Sequence, residues 1–181
     1  MQPLTIKILC SEAAKFSALE SQYPEPSLYG ITDGKAVGTY LERKFRTYLA
    51  ANYQFVLGNS ARGIDFPGLL VDMKVTSIRQ PQSSCPFKSA RQKIYGLGYS
   101  LIIFVYDKVD DSLNRTAKLN IFRTIYVDAS RTADFQMTLG VLKILANEGN
   151  KDDLIAFMLD RTLDSSYNGG NPATDCLATY L

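Results

Sequence analysis

The sequence predicts an α/β fold in which a mixed β-sheet is flanked by helices. Near-continuous apolar segments such as LIIFVYD at 101–107 are typical of strands that are covered on both faces. Other segments carry apolar residues every three or four positions, which is the spacing of a helix with one buried face. The two kinds of segment follow in the order α-α-β-β-β-α-β-β-α-α, and this arrangement indicates helices packed on both faces of one sheet.

The elements follow from these patterns in chain order. The predicted helices, which share the three- and four-residue apolar spacing, span 4–22, 35–53, about 88–96, 131–147 and 151–161. The predicted strands, which are short apolar or alternating segments, span 54–57, 62–66, 69–76, 101–107 and 118–128. Proline, glycine and charged residues predict loops or turns at 23–34, 67–68, 78–88 and 108–117. Residues 162–181 lack periodicity, and we expect an irregular tail that is either native or left by a truncation.

Length and composition indicate one soluble domain. The chain has 181 residues, of which 46% are hydrophobic and 21% charged, and this is enough for a sizeable core without disulfides. We expect a single domain over 1–161 with its core at about 35–128. No apolar segment approaches the roughly 18 residues of a membrane span, and the N-terminus lacks a signal-peptide pattern, so we expect a cytoplasmic protein. The three cysteines are widely spaced and form no metal or redox motif.

The absence of histidine narrows the chemistry. With no histidine in the chain, Ser-His-Asp and Cys-His catalysis, histidine-ligated zinc and a histidine base are all excluded. A general base must therefore be an acidic residue, a lysine or a water activated by a metal. The net charge of +2 permits an anionic partner but does not by itself indicate one.

The segment 63–77, GIDFPGLLVDMKVTS, places charges inside the predicted sheet. Apolar and polar residues alternate along its second strand, so Asp72 and Lys74 share one face. Asp65 ends the preceding strand, and neighbouring strands lie about 4.8 Å apart, so Asp65 and Asp72 can reach the same ion. Mg²⁺ commonly takes one or two carboxylates together with water and phosphate oxygens. Lys74 can orient the attacking water, favour its deprotonation and offset negative charge that develops at phosphorus.

The alternative for this segment is a solvated strand face. Asp72 and Lys74 would then form an exposed ion pair, which contributes almost nothing to stability. Three features favour the catalytic interpretation: the acidic residue just before a turn, the apolar opposite face of the strand, and the polar loop and basic helix that follow.

The stretch GIDFPGLLVDMK resembles the active-site signature of the PD-(D/E)xK nuclease superfamily. That signature is an acidic residue at the end of one strand and acidic-x-Lys on the next. Ile64-Asp65 stands here in place of the usual Pro-Asp, with a proline two residues later. The resemblance covers roughly 35–107, where the predicted elements match the α-β-β-β-α-β core of the family.

The resemblance implies a role for five residues. Asp65 and Asp72 would bind Mg²⁺, and Lys74 would orient and activate the water. Glu42, in YLERKF of the preceding helix, and Gln92, in SARQKIYGLGY of the following helix, would support them. The alternatives are a surface salt bridge for Glu42 and a solvated side chain for Gln92.

Within the superfamily, VTSIRQPQSSCPFKSARQKIYGLGY at 75–99 is most similar to type II restriction endonucleases. This similarity implies a bacterial or archaeal homodimer that uses Mg²⁺ to cut both strands of double-stranded DNA at a short site. Two alternatives remain open. One is a repair or recombination nuclease of the junction-resolving or RecB-like kind, and the other is a non-catalytic α/β module that binds DNA or protein.

The loop and helix after the site strand carry side chains that suit DNA. Arginine pairs with guanine edges and glutamine with adenine, and all of these polar side chains can bind phosphate. The candidate DNA-binding residues are Arg79, Gln80, Gln82, Ser83, Ser84, Lys88 and Arg91. The alternative is a polar surface loop without a ligand.

Overall fold

A mixed three-stranded β-sheet with flanking helices forms the centre of the fold, which confirms the predicted α/β class. The computed structural model describes residues 1–58, 63–81, 87 and 89–167, and for 90 and 161–167 it describes the backbone alone. The helices are α1 Ile6–Glu20, α2 Gly34–Ala50, α3 Ala90–Tyr95, α4 Phe135–Ala146 and α5 Lys151–Tyr167. The strands are β1 Gln2–Pro3, β2 Tyr53–Gln54, β3 Val71–Ser77, β4 Ser100–Asp111 and β5 Thr116–Val127.

The three main strands lie in the order β3-β4-β5. The β3–β4 pair is parallel and places Asp72 opposite Leu101 and Lys74 opposite Ile103. The β4–β5 pair is antiparallel and forms a long hairpin. The two short strands β1 and β2 pair with each other in a separate parallel sheet. The strand that carries the predicted site is therefore an edge strand of the main sheet.

A strand and a turn are among the predicted elements that differ from the structure. The predicted strand at 62–66 is wrong over its described part, where Phe66 forms only an isolated bridge with Val71. Gly63 has a φ of 66° and a turn follows at 67–70, so too few residues lie between them to form a ladder. The predicted turn at 108–117 is also too long. Strand β4 extends to Asp111 and strand β5 already begins at Thr116, so only the residues between them form the turn.

The helix α5 differs from the prediction only in length. It continues to Tyr167, past the predicted end at residue 161, so the predicted irregular tail is wrong for 162–167. The rest of that predicted tail, 168–181, lies outside the described residues. No helix in the described part of the chain is long and apolar enough to cross a membrane.

The chain forms two compact units. The first contains α1, α2 and the strands, and the second contains α3, α4 and α5. Aromatic rings form the centre of the first unit: Phe45 of α2 lies 5.0 Å from Phe16 of α1 and 5.2 Å from Phe104 of β4, measured between ring centroids. Such tilted and edge-to-face pairs add about 0.5–1.5 kcal/mol each beyond the burial of their area. In the second unit, Gly140 of α4 packs so closely on Phe157 of α5 that a Cβ would collide with the ring.

The helix α2 is capped at its N-terminus and packed against the sheet along one face. Asp33 caps its N-terminus by accepting a hydrogen bond from the Lys35 backbone N–H at 3.0 Å. Leu41, Phe45 and other apolar residues on one face are fully buried against the sheet. The packing of this stripe fixes the rotation of α2 about its axis, and it thereby fixes where Glu42 points.

Candidate active site

The strand β3 holds a buried ion pair. Asp72 is only 4% exposed, and its Oδ2 lies 2.9 Å from Nζ of Lys74, whose side chain is 20% exposed. Residues two apart on a strand point to the same side, so the Asp-x-Lys spacing brings the two charges together. Burial of this pair contradicts the alternative of a solvated strand face, because such a pair would be exposed to water.

Asp65 is fixed beside β3 by two interactions. Its Oδ2 accepts a hydrogen bond from the Met73 backbone N–H at 3.0 Å, and its Oδ1 lies 3.3 Å from Nη1 of Arg46. The short turn that follows Asp65 returns the chain so that the Phe66 N–H bonds to the Val71 carbonyl at 2.9 Å. The carboxylate therefore lies against the free edge of the strand that carries Asp72.

The carboxylates affect one another electrostatically. Burial raises the pKa of Asp72 from its ordinary value to about 6; Lys74 opposes this rise in the pKa, and the neighbouring Asp65 adds to it. Burial raises the pKa of Glu42 on α2 to about 7, with a further contribution from the negative charge of Asp65. Lys74, Arg46 and Asp72 also act on the pKa of Glu42, so all five charges belong to one cluster.

The structure thus brings together four of the five predicted site residues, Glu42, Asp65, Asp72 and Lys74. It adds Arg46, which the sequence analysis missed. Arg46 lies four residues after Glu42 on α2, and residues at this spacing are neighbours on a helix surface. That spacing is the signal by which Arg46 could have been found. We call these five residues the charge cluster.

The charge cluster does not form a complete metal cage. In the described part of the chain, no group of three or more histidine, cysteine, aspartate or glutamate side chains is arranged to hold a metal ion. An ion at Asp65 and Asp72 would need further oxygen ligands from water, the backbone or phosphate. Mg²⁺ is commonly bound in this way, through one or two carboxylates and several non-protein oxygens.

Gln92 lies on α3, in the second unit of the chain. Its Nε2 donates a hydrogen bond to the Leu97 carbonyl at 3.4 Å, close to the end of the same helix. Its role beside the charge cluster stays a prediction.

The predicted DNA-binding residues are described only in part. Arg79 and Gln80 follow β3 and are exposed, and Arg79 forms an ion pair with Asp107 of β4. Arg91 of α3 is exposed, with its guanidinium carbon 5.7 Å from the centroid of the Tyr95 ring. Gln82, Ser83, Ser84 and Lys88 lie outside the described residues.

Comparisons with known proteins agree on a family. The family model described as type II restriction enzyme NspV matches residues 3–172 of the chain. Type II restriction enzyme NspV from Nostoc sp. is 72% identical over 178 residues, which cover 98% of this chain and 81% of the relative. No solved structure matches the chain.

Proposed function

Because the chain belongs to the NspV family of type II restriction enzymes, we propose that it is a Mg²⁺-dependent endonuclease that cuts double-stranded DNA at a short specific site. The observation that carries the assignment of the site is the buried Asp72–Lys74 pair beside Asp65 on the edge strand β3. A buried carboxylate with a raised pKa is typical of functional sites. Burying its charge destabilises the fold, and such destabilisation is most often found where the group has a function. The arrangement supports placing the chain in the PD-(D/E)xK superfamily.

The residues present fit Mg²⁺. Asp65 and Asp72 supply two carboxylates, the hard oxygen donors that this ion prefers. Met73 donates its N–H to Asp65, and the N–H and C=O of one strand residue point to the same side, so the Met73 carbonyl also faces this edge. The negative charge of Asp65 raises the pKa of both Asp72 and Glu42, and a divalent cation beside these carboxylates would offset that repulsion. When bound, Mg²⁺ would act as a Lewis acid on the scissile phosphate and lower the pKa of a coordinated water.

Each of the predicted site residues has its own role in the proposed mechanism. Asp65 and Asp72 would hold the ion, and the hydrogen bond from the Met73 N–H fixes the orientation of Asp65. The Lys74 ammonium orients the attacking water, favours its deprotonation and offsets the negative charge that develops on the phosphate. Glu42 adds a carboxylate to the cluster from α2. The supporting role of Gln92 stays a prediction from the sequence.

Restriction of double-stranded DNA also needs recognition and two cutting centres. We propose that the chain acts as a homodimer in the cytoplasm, so that each subunit cuts one strand of the site. The candidate contacts to DNA are the side chains named above after β3 and on α3. Arg79 and Gln80 are the two of these that follow β3 directly and are exposed.

Incubation with long duplex DNA tests the function. We expect discrete fragments with Mg²⁺ and no cleavage with EDTA. A ladder or structure-selective nicking would instead indicate a repair or recombination nuclease, and no cleavage under any condition with any divalent cation would indicate a non-catalytic module.

A lysine substitution tests the site assignment. Lys74→Met keeps the length of the side chain but removes its charge, and we expect cleavage to fall by about 100-fold or more. Lys118→Met is the matched control, because Lys118 is an exposed lysine on β5. Equal activity of the two variants would remove Lys74 from the proposed mechanism.

A further inference from the structure

A second carboxylate–cation pair lies on the same face of the sheet as Asp72 and Lys74. The register of β3 and β4 places Asp72, Lys74 and Thr76 opposite Leu101, Ile103 and Val105. Side chains alternate along a strand, so Asp107 follows Val105 on this face, whereas Tyr106 belongs to the core on the other. Asp107 is the partner of Arg79, the first arginine after the site strand.

Arg79 meets Asp107 side-on, through one hydrogen bond and one close charge contact. Nε of Arg79 lies 2.5 Å from Oδ1 of Asp107, and Nη2 donates to Oδ2 at 2.8 Å. The guanidinium is a rigid plane with five N–H donors, and the hydrogen bond to Asp107 uses one of them, on Nη2. Among the described residues, Oδ1 of Asp107 accepts no hydrogen bond, although Nε lies beside it. The remaining donors include a parallel pair on Nη1 and Nη2, at the outer end of the group. Arg79 has a side chain that is 68% exposed, so this outer pair is open to a ligand.

The pair contributes more to orientation than to stability. An ion pair with so exposed a cation contributes little to stability, because water screens it. Hydrogen bonds nevertheless fix the backbone from which the Arg79 side chain extends. The Ile78 N–H donates to the Tyr106 carbonyl at 2.9 Å, and the Arg79 N–H donates to Ser77 Oγ at 3.2 Å. A long, flexible side chain is thus held at both ends, with its unused donors pointing outward.

We propose that Asp107 is a positioning residue that holds Arg79 for a bidentate contact with DNA. This inference rests on the proposed function. Asp107 lies about four strand residues beyond the level of Lys74, which is roughly 13 Å at 3.3 Å per residue. That span equals about four nucleotides at 3.4 Å each, and it lies within a short recognition site and its flanks. Two DNA groups offer paired acceptors to such a fork, the O6 and N7 atoms of guanine and the oxygens of a phosphate.

The experiment begins with wild-type protein. Cleavage of long duplex DNA with Mg²⁺ and sequencing of the fragment ends give the recognition site; if nothing is cut, the proposed function fails before this inference is tested. DNA affinity is then measured with Ca²⁺ in place of Mg²⁺, on the recognition site and on every single-base variant of it. The variants are Arg79→Ala, Arg79→Lys, Asp107→Asn and the double variant R79A/D107N.

We expect Arg79→Ala and Arg79→Lys to lose roughly 10- to 100-fold in affinity, because lysine keeps the charge but lacks the fork. Asp107→Asn should lose less, and the double variant should be no weaker than Arg79→Ala alone, because Asp107 acts through Arg79. A loss confined to one base pair identifies guanine as the acceptor. A loss of affinity that is the same for all of these sequences identifies phosphate as the acceptor. In that case the slope of log affinity against log salt concentration should also fall by about 1, the value for one phosphate contact.

Two results would overturn the proposal. One is unchanged DNA affinity in Arg79→Ala, and the other is an Asp107→Asn effect that persists in full when Arg79 is already alanine. Arg123→Ala, which removes an exposed arginine from β5, controls for the loss of one positive charge. Thermal unfolding of all variants should lie within a few degrees of wild type, since an exposed ion pair stabilises the fold little.

Discussion

Replacing Asp72 with asparagine separates function from stability at the charge cluster. Asp72 is buried, and its pKa is raised from the ordinary 3.8 to about 6. A carboxyl with a raised folded-state pKa favours the protonated form, so its ionisation weakens the fold as the pH rises through that value. The penalty is absent below pH 3.8, complete above about pH 6, and on the order of 3 kcal/mol at pH 7.

The Asp72→Asn substitution keeps the shape of the side chain and removes its charge. It also weakens the contact with Lys74, which offsets part of the gain. We therefore expect a free energy of unfolding at pH 7 that is unchanged or raised by up to about 2 kcal/mol, equivalent to about 4–8 °C in melting temperature. Cleavage should nevertheless fall by about 100-fold or more, because the variant lacks one of the two proposed metal ligands.

Glu20→Gln is the matched control. Glu20 is 3% exposed, lies 3.0 Å from Nζ of Lys44, and accepts a hydrogen bond from the Tyr40 hydroxyl at 2.8 Å. Because this carboxylate is fully partnered and outside the charge cluster, its replacement should cost about 1–3 kcal/mol of stability and leave the specific activity of folded protein unchanged.

The assays are thermal unfolding at pH 7 in EDTA, which removes any stabilisation by bound metal, and cleavage of linear duplex DNA with Mg²⁺. A melting temperature of Asp72→Asn that falls as far as that of Glu20→Gln would refute the electrostatic reasoning. Wild-type cleavage by Asp72→Asn would refute the site.

Three further predictions concern other parts of the first unit. Arg46→Met should tighten Ca²⁺ binding several-fold in a calorimetric titration, because it removes a positive charge from the carboxylates; weaker binding would indicate that orientation of Asp65 matters more. Glu12→Gln should lower the melting temperature at pH 7 by the equivalent of about 1–2 kcal/mol, because Glu12 accepts hydrogen bonds from Lys15 and Tyr48. These contacts lower the pKa of Glu12, so its stabilisation is lost as the pH falls through that lowered value, and the difference between variant and wild type should shrink progressively in acid. Phe45→Ala should cost about 3–5 kcal/mol in a denaturant titration, since the ring is fully buried between Phe16 and Phe104; a cost under 1 kcal/mol would contradict the aromatic core.

The sequence predicted the elements that depend on local pattern. The apolar spacing of α2 and the alternation in β3 reproduce the observed elements within a few residues, because each pattern reflects one buried face. The Asp-x-Lys spacing likewise predicted the contact between Asp72 and Lys74, which depends only on strand geometry. The length of the β4–β5 hairpin was missed, because its charged outer ends resemble a turn when the pairing is unknown.

The environment of the candidate site could not be predicted from the sequence, because it depends on tertiary structure. Nothing in the segment itself distinguishes an exposed Asp72 from a buried one, because burial depends on what the rest of the chain places over the strand. The position of Asp65 depends on the turn and on the Met73 N–H, not on a regular strand as predicted. Arg46 was overlooked because its four-residue spacing from Glu42 is a weak signal among the many charges of α2, and its contact with Asp65 depends on tertiary structure.

The charges of the cluster suggest why cleavage would depend on a divalent cation. Among the described residues, Glu42, Asp65 and Asp72 are joined by two cations, Arg46 and Lys74, so these five side chains carry one net negative charge when fully ionised. A phosphodiester is also negative and would be repelled from it. A divalent ion reverses the sign and makes the cluster complementary to the phosphate, and still more to the charge that develops in the transition state. A single positive ion would only neutralise the cluster, so the balance of these five side chains favours a doubly charged ion as the cofactor.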